Sequence, residues 1–189
     1  LGGDCMIQGQ KTSIKVLLPF AYGDLSGGAQ HSYLDLLRYL SEGRLQVIAL
    51  CPPKGSLIDK IRSVGAEAFT VGHGLIWPFS LKRPLDSVRH AWVVSKKIGR
   101  IATQERVDLI HANDIASFIY SWMGTSMFAY NYPVVWHDRG FGRYPKVLRY
   151  IVKQLTRSDR VHIVATTEAC RKLWVSQGIN ERRITTIYN

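Results

Sequence analysis

SIKVLLPFAYGDLSGGAQHSYLDLLRYL, residues 13–40, decides how the chain is read. Within it IKVLLPF, residues 14–20, is a short apolar run rich in branched side chains. The turn-forming Tyr22-Gly23-Asp24 closes it, as expected for a strand buried on both faces. Beyond the Gly27-Gly28 pair, Tyr33, Leu36, Leu37 and Leu40 recur at i, i+3, i+4 and i+7. That spacing predicts a helix with one apolar face, stopping near Gly43.

The same alternation continues outward. LQVIAL (residues 45–50) reads as a second strand ended by Pro52-Pro53, residues 57–64 as a short helix closed by Gly65, and residues 66–71 as a third strand. Residues 72–84 carry glycines, prolines and Trp77 without periodicity and read as a long, mobile loop of the kind that often serves function. Val88, Ala91, Val94, Ile98 and Ile101 then keep helical spacing across residues 85–105, before DLIHA at 108–112. A strand at 133–136 precedes a helix at 145–156; a strand at 161–165 precedes a helix at 168–176; residues 184–188 form the last strand. About seven strands interleaved with helices, with no Asn-Gly or Asp-Gly hairpin turn, call for a parallel sheet covered on both faces. Right-handed crossovers make it doubly wound. The fold class is therefore α/β, a mostly parallel sheet with helices on both sides. No repeat or linker divides it, so residues 13–189 are one domain and residues 1–12 an extension outside it.

A chain of 189 residues, 46% apolar and 21% charged, is long enough to bury a core of its own. Twenty-five basic against 14 acidic residues give a net charge of +11, which favours phosphorylated ligands, an anionic membrane surface or nucleic acid as partner. Cys5, Cys51 and Cys170 fit neither a disulfide framework nor the paired spacing of a zinc site, which points to a reducing compartment and no metal. No stretch reaches the roughly 18–20 apolar residues of a spanning helix, and the start lacks signal-peptide order. The expected location is cytoplasmic, free or peripheral on the cytoplasmic membrane face.

In open α/β sheets ligands bind beyond the carboxyl ends of strands, so the residues after Phe20, Ala112, Trp136 and Ala165 matter most. Gly23-Asp24-Leu25-Ser26-Gly27-Gly28 opens straight into a helix; glycines admit a ligand to the backbone, and free amides with the helix dipole favour phosphate. The same pair also suits a plain tight turn. After the middle strand stand His111, Asn113 and Asp114, polar groups able to meet sugar hydroxyls or an acceptor. Asp114 equally suits a helix N-cap, and His111 a hydrogen-bonded core histidine. His137-Asp138-Arg139-Gly140 gathers a titratable ring, a carboxylate and a guanidinium, the most reactive-looking group in the chain. Its simpler reading is a solvated ion pair between Asp138 and Arg139. Thr166-Thr167-Glu168 reads as ordinary capping.

Lys146, Arg149, Lys153 and Arg157 fall on one stripe of the 145–156 helix, opposite Leu148, Ile151, Val152 and Leu155. A basic stripe is usually a solvated face; it also suits anionic lipid, at about 1 kcal/mol per basic residue near the surface. Lys82, Arg83, Arg89, Lys96, Lys97 and Arg100 would enlarge the patch if they adjoin it.

SGGAQHSYLDLLRYL, DLIHANDIAS, VVWHDRG, VATTEACRKLWVSQGI and ITTIYN, in this order and spacing, resemble the N-terminal domain of family 4 glycosyltransferases. These are retaining enzymes of the GT-B fold, built of two Rossmann-like halves. The likeness spans most of the chain. It implies transfer of a sugar from a nucleoside diphosphate sugar, UDP- or GDP-linked, to a glycan or lipid-linked acceptor, with retention and without metal or other cofactor. It implies that Gly27 and Gly28 approach the donor diphosphate and that His137, the expected catalytic residue, contacts the donor sugar. Asn113, Asp114, Asp138 and Arg139 would line the acceptor side or the cleft. In such enzymes the asparagine here numbered Asn189 opens the segment leading to a second, donor-binding domain, so that domain lies outside this chain and the chain alone is expected to be inactive. Ala29-Gln30 departs from the pattern, where relatives place an apolar residue and then Glu.

Other readings fit less. A nicotinamide-binding domain would need a true G-x-G-x-x-G and an acidic residue after the second strand, where Cys51-Pro52-Pro53 stands. A nucleic-acid-binding domain would need a recognisable motif with interleaved aromatics, which is missing. A domain that has lost catalysis and only docks an acceptor or partner remains as the alternative.

Overall fold

The computed structural model describes residues 13–25, 27–39, 45–71, 84–128, 130–139 and 144–188. The expected extension at 1–12, residues 72–83 of the loop expected at 72–84, with Lys82 and Arg83 among them, and Gly140 lie outside them, whereas Pro84 begins a helix. The elements run β1 (Ile14–Pro19), α1 (Gly28–Tyr39), β2 (Leu45–Cys51), α2 (Leu57–Ser63), β3 (Glu67–Thr70), α3 (Pro84–Gln104), β4 (Leu109–Ala112) and α4 (Ile115–Met127). They continue β5 (Val134–Asp138), α5 (Lys146–Leu155), β6 (Val161–Ala165), α6 (Glu168–Ser176), a 3-10 turn at Glu181–Arg183 and β7 (Ile184–Thr186).

The sheet is parallel throughout, in the order β3-β2-β1-β4-β5-β6-β7. This is the doubly wound arrangement read from the sequence. The chain reverses its direction of growth between β1 and β4, and that switch point opens a crevice at the strand ends. Alternation along each strand assigns the two faces. Val16, Leu18, Ala49 and Cys51 pack under α1 and α2 through Tyr33, Leu34, Leu37, Leu57 and Ile61. Leu17, Ile48, Leu50 and Ile110 pack on the other face against α3, and Trp136, Ile163 and Ala165 against α4, α5 and α6. Leu17, Leu50 and Ile110 have no exposed surface, so each contributes about 1.5–3 kcal/mol through burial. The glycine of α4 explains how closely α3 and α4 pack: a Cβ on Gly124 would sit 2.4 Å from the carbonyl oxygen of Ser95.

One boundary changes the chemistry. β5 does not stop at Trp136 but continues through His137 and Asp138. Alternation then sends His137 to one face and Asp138 to the other, beside Trp136.

Candidate functional site

At the switch point the segment after β1, the start of α1 and the ends of β4 and β5 enclose a cleft of about 430 Å³. Phe20, Tyr22, Ile115 and Tyr144 supply much of its wall, and Gly27, Gln30, Asn113, Asp114 and Arg139 its polar lining. Gly27, Asn113, Asp114 and Arg139, which the sequence marks separately, are thus brought together. Gly28 is the first residue of α1 and is exposed. A Cβ there would meet nothing within 4 Å, and neither Gly27 nor Gly28 has positive φ. Neither backbone conformation nor packing requires glycine at 28, and Gly28, unlike Gly27, is not among the cleft-lining residues.

His137 is the penultimate residue of β5, two residues before Arg139, and its ring stacks on that of His111 with centroids 5.9 Å apart and planes 13° from parallel. His111 in turn shares a 3.1 Å hydrogen bond between Nε2 and the Tyr33 hydroxyl. Arg139 lays its guanidinium 5.1 Å from the centre of the Tyr33 ring and reaches Ser32 Oγ at 3.5 Å. Burial, then the Arg139 cation, lowers the His137 pKa to about 4. His111 falls to about 4 by burial and by the charges of His137 and Arg139. Both rings are therefore neutral near pH 7, so His137 offers one N–H donor and one acceptor nitrogen rather than a cation. Burial pushes the Tyr33 phenol well above its usual range, which keeps it protonated.

Asp114 does cap a helix. Its Oδ1 accepts from Ser117 N at 2.8 Å, Ser117 Oγ accepts from Asp114 N at 3.2 Å, and its Oδ2 accepts from Ala21 N at 3.3 Å. The carboxylate thus lines the cleft while holding α4 to the segment after β1; burial raises its pKa. Thr167 likewise caps α6, accepting from Cys170 N at 3.1 Å.

Asp138 is the correction. Expected in the cleft or in a solvated pair with Arg139, it has no exposed surface. Its Oδ1 accepts from Tyr144 Oη at 2.9 Å, and its Oδ2 from Trp174 Nε1 at 2.6 Å and Cys170 Sγ at 3.1 Å. The extra strand residues turn it beneath α6, where it ties β5 to α6 and to Tyr144. Burial and the Asp138 charge raise the Cys170 pKa to about 12, so the thiol stays a donor.

Four buried polar atoms at this edge have no partner among the described residues: Gln30 Oε1, Asn113 Oδ1, His137 Nε2 and Arg139 Nε. Three belong to cleft-lining residues. A buried polar atom without a partner costs about 1–3 kcal/mol, so this edge calls for polar partners, ordered water or a ligand offering both donors and acceptors. Sequence reasoning missed Tyr33, read only as an apolar helix position, and Tyr144; nothing in their local patterns marks them. Gln30 stood out only by departing from the family pattern. Among the described residues no group of three or more His, Cys, Asp or Glu is placed to hold a metal.

The basic stripe begins two residues after cleft-lining Tyr144. Leu148, Val152 and Leu155 are buried, whereas Lys146 and Arg157 are exposed and Arg149 and Lys153 half-buried. Val147 (68% exposed) and Tyr150 (65%) stand out on the same helix, an apolar feature the charge pattern concealed. Arg89, Lys96 and Arg100 are exposed on α3, which packs on α4, and Lys97 Nζ donates to the Thr70 carbonyl at 2.8 Å. Among the described residues no helix is long and apolar enough to cross a membrane.

Over residues 26–189 the sequence matches Glycosyltransferase Family 4. The fold is similar to that of Anabaena Alr3699/HepE, solved in complex with UDP and glucose, at TM-score 0.68 and 16% identity over 93% of this chain and 44% of that one. A glycosyltransferase from Rickettsia africae ESF-5 is similar at TM-score 0.70 and 16% identity, over 94% of this chain and 43% of the other. The lipopolysaccharide outer core galactosyltransferase WaaB in its apo form gives 0.62 and 13%, over 93% and 45%. The chain therefore spans less than half the length of these structures. No match was found among curated proteins.

Proposed function

The chain belongs to glycosyltransferase family 4, and from that premise we propose that it is the acceptor-side lobe of an enzyme moving a sugar from a nucleoside diphosphate sugar to a glycan or lipid-linked acceptor with retention. The observation that carries this reading is the set of buried, unpartnered polar atoms around the switch-point cleft. In this reading the donor is UDP- or GDP-linked, and the UDP held by the Anabaena neighbour supports the UDP form. Gly27 and Gly28 admit the diphosphate to the start of α1, where free amides and the helix dipole stabilise it. His137, neutral and stacked, hydrogen-bonds a hydroxyl of the donor sugar and fixes its orientation; a pre-set dipole of this kind stabilises developing charge without reorganising. Asn113 and Asp114 line the acceptor side, and no step calls on a metal or other cofactor. A second, donor-binding domain completes the crevice, so this chain by itself is inactive.

The basic face of α5, with Val147 and Tyr150 between its cations, rests on anionic lipid at the cytoplasmic membrane surface. Apolar residues set among cations are how an interfacial helix combines burial with charge attraction.

Calorimetric titration of the full-length enzyme with UDP and GDP sugars, beside NAD and a short RNA, tests the reading. Sugar-nucleotide binding that Gly28→Ala weakens about tenfold or more without lowering stability supports it. Salt-dependent RNA binding with no sugar-nucleotide binding overturns it.

A further inference from the structure

Arg139 is the only cation among the described residues lining the cleft, and Asp114 is the only anion. The Asp114 carboxylate is engaged by Ser117 N and Ala21 N. The Arg139 guanidinium is held from below by the Tyr33 ring, itself anchored through its hydroxyl to His111, and from the side by Ser32 Oγ. Its Nε is buried without a partner among the described residues. A guanidinium seated on an aromatic ring, with an unsatisfied donor and no carboxylate partner among the described residues, is organised for an oxyanion from outside. The wall beside it is carbon-rich, formed by Phe20, Tyr22, Ile115 and Tyr144.

We propose that this cleft selects an acceptor carrying an oxyanion, a phosphate ester or a carboxylate, which Arg139 receives through its Nε–H while the acceptor's carbon body lies on the aromatic wall. Arg139 follows β5, whereas the reading above places the donor diphosphate at the start of α1, and competition with UDP decides whether the guanidinium serves the second substrate or the donor. The word acceptor rests on the transferase reading above; the anion site rests on the geometry alone. Tyr33 acts through Arg139 as a positioning residue.

The test uses the full-length protein and three monomeric probes of equal chain length, octyl phosphate, octanoate and octyl glucoside, with UDP as a fourth. Calorimetry is expected to show octyl phosphate, octanoate or both binding about tenfold tighter than octyl glucoside; which of the two anions wins names the source of the oxyanion. Arg139→Gln should erase that preference while UDP affinity moves less than about twofold, and UDP should not displace the anionic probe. Arg139→Lys, which keeps the charge but loses the fork, should retain part of the preference and serves as the variant of record if Arg139→Gln melts early. Tyr33→Leu should weaken the anionic probe and leave octyl glucoside unchanged, a split that general loosening of the fold would not produce. Equal binding of the anionic and neutral probes by wild type, or an unchanged preference in Arg139→Gln, overturns the proposal. So does displacement by UDP together with loss of UDP binding in Arg139→Gln, since the guanidinium would then serve the donor. If neither protein binds UDP yet the anion preference follows Arg139, the sugar-nucleotide reading fails and the anion site stands.

Discussion

Replacing Asp138 by alanine should destabilise the whole fold and release Tyr144 of the cleft wall from its anchor. The carboxylate is fully buried and accepts from Tyr144 Oη, Trp174 Nε1 and Cys170 Sγ. Its removal strands three donors under α6. A buried donor left without a partner costs about 1–3 kcal/mol. The indole N–H, on a residue with no exposed surface, and the phenol should each cost near the middle of that range, and the thiol, a weak donor, a fraction of it. The sum is about 4 kcal/mol, a large share of the roughly 5–15 kcal/mol of a typical domain. For a chain of this size that lowers the melting temperature by roughly 10 °C. Asp138→Asn keeps one carbonyl acceptor and should cost about 1–2 kcal/mol. Urea titration followed by circular dichroism supplies the numbers, and a double-mutant cycle with Trp174→Phe should show a coupling of at least about 1 kcal/mol. If Asp138→Ala loses less than about 1 kcal/mol, the carboxylate is not the tie described, and its burial would need another cause.

Other consequences can be measured alongside. His137→Ala should cut turnover of the complete enzyme about a hundredfold while costing only about 1 kcal/mol of stability, checked by steady-state rates beside melting curves; unchanged turnover removes His137 from the site. His137 and His111 are held near pKa 4 in the fold against 6.5 when free. The unfolded chain thus binds more protons between about pH 4 and 6.5, and stability should fall as pH drops through that window, by on the order of 3 kcal/mol for the coupled pair. Urea titrations across the window should show that slope, and the double His→Gln variant should flatten it. Gly124→Ala should cost about 1–3 kcal/mol by forcing α3 and α4 apart, visible as a lower urea midpoint with an unchanged m-value. Reversing Lys146 and Lys153 to Glu should weaken binding to anionic vesicles about tenfold or more at low salt and leave neutral vesicles unaffected, read by co-sedimentation.

Period and punctuation carried most of the architecture. Two-face apolar runs and the 3.6 spacing after Gly28 are local signals, and parallel order follows from the absence of hairpin turns. The site was legible in part for the same reason: strand ends are visible in sequence, and a doubly wound sheet gathers them on one edge. What stayed hidden depends on two residues of strand length. With β5 ending at Trp136, Asp138 reads as a loop residue; two residues further, alternation carries it into the core. Tyr33 was equally unreadable, because an apolar helix position and a platform for a guanidinium look the same until α1 is laid across β4 and β5. Asp114 could be assigned as a cap from its neighbours, but its grip on Ala21, 93 residues earlier, is a tertiary fact.

That grip has a mechanical consequence. One side chain joins both banks of the crevice, adding a tie beyond the strand ends to the ladder that already pairs β1 with β4. A bound molecule cannot pry these strands apart without breaking the tie and the first turn of α4 together. Any displacement of Ala21 is therefore passed directly to the first turn of α4, coupling the segment after β1 to the helix on the opposite bank.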